Sequence, residues 1–171
     1  MVFSAKIETM KEVYVRNIIF GVTDSLVSTV GFLAGISASG VSREIIILTG
    51  LVYTFVEAFS MAAGSFLSED YAQDFEASKE LSNKQPFLAS IIMFISYILV
   101  SIIPVIPYFF LAPKSALWIS IALSMTALFI AGASVAKISK IKPIRHALKM
   151  IFLGGIAILI GVSVGIMLKP L

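Results

Sequence analysis

The chain contains no cysteine, one histidine and one tryptophan, and only 13% of its 171 residues are charged. Each shortage excludes something. Without cysteine there are no disulfides, zinc–thiolate sites or iron–sulfur clusters. A single histidine, His146, leaves no His-rich metal site and no Ser–His–Asp triad within one chain. Soluble domains carry about 25% charged residues, so this chain cannot cover a globular surface with polar groups. No Gly-rich nucleotide loop ending in Lys–Ser/Thr is present, nor any other cofactor motif or activated nucleophile, so the chain is not expected to be an enzyme. The net charge of +3 is modest and its basic residues fall in short stretches, which argues against nucleic acid as a partner. The opening MVFSAKIETMKEVYVR is polar and mixed in charge, unlike a cleavable signal peptide.

What the chain has instead is apolar length: 58% of it is hydrophobic. Five apolar runs cover about residues 17–39, 45–67, 87–111, 116–136 and 148–168. Each reaches the roughly 20 residues a helix needs to cross a bilayer, and none alternates with the period of a membrane β-strand. The fold class expected is an all-α membrane protein, one transmembrane domain of five helices in contact with lipid. With the N-terminus cytoplasmic, the inner side would hold Lys6, Lys11, Arg16, Lys79, Lys84, Lys137, Lys140, Lys142, Arg145 and Lys149, against Arg43, Lys114 and Lys169 outside. This asymmetry sets the N-terminus in the cytoplasm and the C-terminus outside or in a lumen. The missing leader hints at a prokaryotic plasma membrane.

Two carboxylates interrupt the apolar runs, Asp24 in the first and Glu57 in the second. An ionisable group at that depth is costly and is a functional-site candidate by default. Asn17, Gly21, Asp24, Ser28, Gly31 and Gly35 share one stripe of the first helix, with Gly31 and Gly35 at the spacing of a packing seam. Gly50, Tyr53, Glu57, Met61, Gly64 and Ser68 form a matching stripe on the second. Counted from the cytoplasmic edge, Asp24 and Met61 are level and Glu57 is one turn further out, a ladder of ligands for a passing cation. Carboxylate with thioether suits softer first-row metals such as Fe²⁺ better than Mg²⁺ or Ca²⁺. A low dielectric disfavours a charged carboxylate, and metal binding releases ligand protons, which is the physical basis for proton–metal exchange. The plainer readings are a helix seam holding a hydrogen-bonded Asp and a methionine that fills a gap.

Glu69, Asp70, Asp74, Glu76 and Glu80 lie in the polar segment 68–86, where Glu69, Glu76 and Glu80 fit one helical face. They could collect cations at the cytoplasmic mouth or simply face water. Pro104 and Pro107 near the end of the third run read as a hinge or a fixed kink. Gly161 and Gly165 in the fifth run read as packing.

These residues resemble the vacuolar iron transporter family. The matching pieces are GVTDSLVSTVGFLAGIS, SMAAGSFLSEDY, IIPVIPYFF, LFIAGASVAKIS and KPIRHALKMIFLGGIAILIG. The resemblance implies a homodimeric five-helix carrier that exports Fe²⁺, and often Mn²⁺, from the cytosol in exchange for protons. It sets the family's aspartate on Asp24 and its metal-contacting methionine on Met61, with the metal path along the dimer axis. Two departures stand out. Many members carry a glutamate eight residues before that methionine, where this chain has Tyr53. Plant-type members also insert a long Glu- and Met-rich cytoplasmic segment where this chain has only 68–86. Alternatives at this stage are a carrier of another cation, such as Ca²⁺, and a membrane assembly protein that transports nothing.

Overall fold

The computed structural model describes residues 2–75, 84–138 and 142–168, with side chains described from Glu12 onward. Five helices account for almost all of them: α1 (Val2–Ala38), α2 (Arg43–Phe75), α3 (Lys84–Phe110), α4 (Pro113–Ile138) and α5 (Pro143–Met167). All five are long and apolar enough to cross a membrane. The first begins at Val2 rather than near residue 17, because the polar stretch KIETMKEVYVR is made largely of good helix formers and has nothing to break it. The second runs on to Phe75, well past its apolar run.

The breaks follow local chemistry. Gly40 has a φ of 82°, the left-handed turn that glycine adopts without a Cβ penalty, and it stops α1 just before α2. Pro113 and Pro143 open α4 and α5, where their fixed φ is helical and their missing N–H would go unused. Pro104 and Pro107 lie inside α3. The main-chain oxygen of Pro104 accepts a 2.7 Å hydrogen bond from Ser120 Oγ on α4. That bond ties the proline segment to α4.

The other four helices wrap α1. It packs on α5, α3, α4 and α2, while α2 leans on α3, α3 on α4, and α4 on α5. No substantial contact joins α2 to α5 among the described residues. The bundle is therefore open along one side, with α1 as the floor of the cleft between α2 and α5. At the end where α1 stops, Leu33, Ile46, Val105, Tyr108 and Ala116 form a buried apolar cluster that fills the bundle.

The glycines decide which helix meets which. A Cβ on Gly31 would come 2.9 Å from the Ala157 oxygen, and one on Gly35 would come 2.7 Å from the Gly161 oxygen. In return, a Cβ on Gly161 or Gly165 would strike the main-chain oxygen of Gly31 or Gly35. The two backbones touch, and the seam joins α1 to α5. The helical wheel set the α1 and α2 stripes facing each other; here they part. Gly21 abuts Met93 and Ser96 of α3, Gly31 and Gly35 abut α5, and Gly64 of α2 has nothing within 4 Å. A helix ringed by four neighbours cannot turn a whole five-turn stripe towards one of them.

Candidate functional site

Asp24 on α1 and Glu57 on α2 are both half-buried, and they stand within electrostatic range of each other. Two carboxylates so placed in an apolar surrounding need a cation or a proton between them.

The turn of α1 that carries Asp24 is held from α3. Ser28 Oγ donates to the Asp24 main-chain oxygen at 2.6 Å and lies 2.8 Å from the Tyr97 hydroxyl, which then donates to it. Ser25 Oγ donates to the Tyr97 main-chain oxygen at 2.9 Å. Tyr97 is completely buried, so it grips the turn on both sides of its own chain position. The sequence reading missed this residue. Its signal was available, since a phenol inside an apolar run such as FISYILV must find a hydrogen-bond partner. Tyr53, one turn from Glu57, stacks on Phe32 with ring centroids 4.3 Å apart and planes 6° from parallel. It links α2 to α1 as an aromatic wall.

Met61 lines a different space. A cavity of about 880 Å³ opens at the end of the cleft where α1 enters, walled by Asn17 and Thr23 of α1, Met61 and Ser65 of α2, Met93 of α3 and Met150 of α5. Neither Asp24 nor Glu57 belongs to its wall. A second cavity of about 690 Å³ follows α1 from Val27 to Ser39, between Tyr53 and the α5 glycines. Asp24 lies between these two stretches of α1. The expected ladder is thus divided: Met61 lines the first cavity, while Asp24 and Glu57 line neither. The separation arises because Met61 is one turn beyond Glu57 on α2, and that turn faces Asn17 and Thr23 rather than Asp24.

Two bridges tie α1 to α2 at the first cavity. In one, Ser65 Oγ donates to Asn17 Oδ1 at 2.6 Å, with the Asn17 amide held within α1 by its Nδ2 donating to the Val13 oxygen at 2.9 Å. In the other, Arg16 forms an ion pair with Glu69. Glu69 was expected with the other acids on a solvated or cation-collecting face; it is buried and its charge is met by Arg16. The reason is the length of α2, which carries Glu69 alongside α1 and out of bulk water. Asp70 is half-buried and Asp74 exposed, whereas Glu76 and Glu80 lie outside the described residues. Among the described residues no three His, Cys, Asp or Glu side chains gather around one point.

Comparison with known proteins follows the same lines. The family model described as VIT family matches residues 15–85 and 74–166, two stretches that overlap over 74–85. An uncharacterized protein of Methanocaldococcus jannaschii is 29% identical, covering 80% of each chain. Vacuolar iron transporter 1 of Arabidopsis thaliana is 24% identical over 203 positions, covering 84% of this chain and 81% of its own. The Eucalyptus grandis protein of that name is also 24% identical. An alignment of 203 positions exceeds the 171 residues of this chain, so these plant proteins carry residues that it lacks.

Proposed function

Because the chain belongs to the VIT family, we propose that it carries divalent transition-metal ions, Fe²⁺ or Mn²⁺, out of the cytosol in exchange for protons. Five apolar helices and the family together make it an integral membrane protein. The names of its plant relatives point to metal-ion transport as the general activity.

The observation that supports the finer reading is that Asp24 and Glu57, half-buried on two apolar helices, stand within electrostatic range of each other. Two carboxylates at membrane depth either share protons or bind a dication, and alternating between those states is what an exchanger requires. In this reading Asp24 and Glu57 hold the ion in transit, and Met61 meets it one turn earlier. The thioether supports Fe²⁺ or Mn²⁺ over Ca²⁺, whose ligands are oxygens. No cofactor is needed for such a cycle, because the gradient supplies the work.

The functional unit in this reading is a homodimer. One chain offers two carboxylates and one thioether, too few to replace a metal ion's hydration shell, and its cleft leaves the floor helix uncovered. A second copy across the cleft would double every ligand and cover the apolar faces of α2, where Val52, Phe55, Val56 and Phe59 are exposed. The basic residues favour a cytoplasmic N-terminus, and the archaeal relative favours the plasma membrane of a prokaryote. The first cavity then faces the cytoplasm, and the apolar cluster around Leu33 and Tyr108 closes the far side.

The test is uptake of Fe²⁺ or Mn²⁺ into proteoliposomes containing a metal-quenched dye, with a pH gradient imposed. Wild type should show flux above protein-free liposomes, and Asp24→Ala should not. Absence of flux for both ions, or wild-type flux in Asp24→Ala, refutes the reading.

A further inference from the structure

The two cavities along α1 meet one side of α5, through Met150, Ala157 and Gly161. Another side of α5 carries an open groove of about 630 Å³. Three cations, Lys142, Arg145 and Lys149, line it together with Ile144, Leu148 and Phe152. At about 3.6 residues per turn, the centre of this face lies about half a turn round the helix from Met150. Between the two faces, Ala147 and Gly154 are buried against Gly132 and Leu128 of α4. The groove is therefore separate from the cleft, and a second copy laid across the cleft leaves it open. Its apolar residues Ile144, Leu148 and Phe152 are 68%, 56% and 68% exposed.

Depth gives the groove a polar end and an apolar end. The 25 residues of α5 make a helix about 37 Å long, against a hydrocarbon core of about 30 Å. Its first turn then stands among the headgroups, and Phe152 among the acyl chains. Ile144, Leu148 and Phe152 recur every four residues and form one strip along the helix. Arg145 and Lys149 stand one turn apart beside that strip. Their aliphatic stems follow it while the charged heads turn up to the interface. Among the described residues, no carboxylate lines the groove. The bias that gathers basic residues on one side of a membrane asks only for charge near the helix ends. It does not ask for an apolar strip directly beneath three converging cations.

We propose that this groove binds an anionic phospholipid of the leaflet in which α5 begins. Lys142, Arg145 and Lys149 hold the phosphate, and Ile144, Leu148 and Phe152 carry the first part of an acyl chain. Charge selects the occupant. A zwitterionic lipid brings its own cation to three others, whereas a net negative headgroup meets them unopposed. An apolar partner helix would bury the three cations without a counter-charge, at high cost. A free anion would leave the strip uncovered. The site includes no residue of the proposed ion path and does not depend on transport.

The experiment uses the full chain in vesicles, with Phe152→Trp and Trp118→Phe. Trp118 is the chain's single tryptophan, so the emission then reports on the groove alone. Dioleoylphosphatidylcholine vesicles receive rising fractions of brominated phosphatidylglycerol or, separately, of brominated phosphatidylcholine. Phosphatidylglycerol should quench at about a tenfold lower fraction than phosphatidylcholine. Lys142→Gln, Arg145→Gln and Lys149→Gln together should make the two lipids equal. Molar salt should do the same with the three cations left in place, by screening, which needs no folding of a variant. Equal quenching by the two lipids at low salt overturns the proposal, as does a preference that survives both the triple substitution and molar salt. Recovery of the emission on adding millimolar inorganic phosphate would mark a site for the free anion and overturn the lipid.

Discussion

The hydroxyl of Tyr97 on α3 lies 2.8 Å from Ser28 Oγ on α1, and Ser28 donates to the main-chain oxygen of Asp24. The phenol thus holds the turn that presents the intramembrane aspartate. Tyr97→Phe keeps the ring and removes only this bond. A buried hydrogen bond contributes about 1 kcal/mol, so flux should fall by about fivefold if the turn loses its register. Proteoliposome uptake checks this, and wild-type flux in Tyr97→Phe would show that Asp24 is positioned without it.

Asp24 and Glu57 stand within electrostatic range of each other, and the substrate reading assigns both to the ion. Asp24→Asn should reduce Mn²⁺ uptake to the level of empty liposomes. Glu57→Gln should leave a residue of activity, because Asp24 retains its position. If the two variants transport as well as wild type while their oligomer stability changes, the pair serves assembly instead.

Proton exchange makes a directional prediction. Uptake should accelerate when the proton gradient opposes the metal movement in the sense of exchange, and a protonophore should abolish the acceleration. With Asp24→Asn the response to the gradient should vanish along with the flux. Metal flux that ignores an imposed gradient of either sign would rule out exchange.

The glycine seam gives a stability prediction with internal controls. Gly35→Leu must push apart two touching backbones, and overpacking of this kind costs about 1–3 kcal/mol. Its thermal unfolding in detergent should therefore move down. Gly64 and Gly155 have nothing within 4 Å of a new Cβ, so their alanine variants should unfold at or slightly above the wild-type temperature. Equal losses at all of these positions would mean that the α1–α5 contact does not govern stability.

Particular residues show how far the sequence could be read. Gly40, Pro113 and Pro143 act within a few residues of themselves, and the ends they impose on helices are visible without any tertiary information. Asp24 and Glu57 stand out because no other Asp or Glu lies within the apolar runs. Glu69 looked like a member of an acidic face because its partner, Arg16, is 53 residues away. Tyr97 looked like one more apolar residue because its two serine partners are on another helix.

The sequence by itself determined five helices, their approximate limits and the pair of carboxylates, since length, apolarity and helix-breaking residues are properties of local segments. It also carried enough family pattern to identify the chain. The tertiary structure decided who faces whom. It gave Gly31 and Gly35 to α5, put Met61 in a cavity apart from Asp24, and neutralised Glu69 with Arg16. The physical reason is that a helix stripe fixes which residues share a face, whereas the neighbour of that face is chosen by how closely four surrounding helices can approach it.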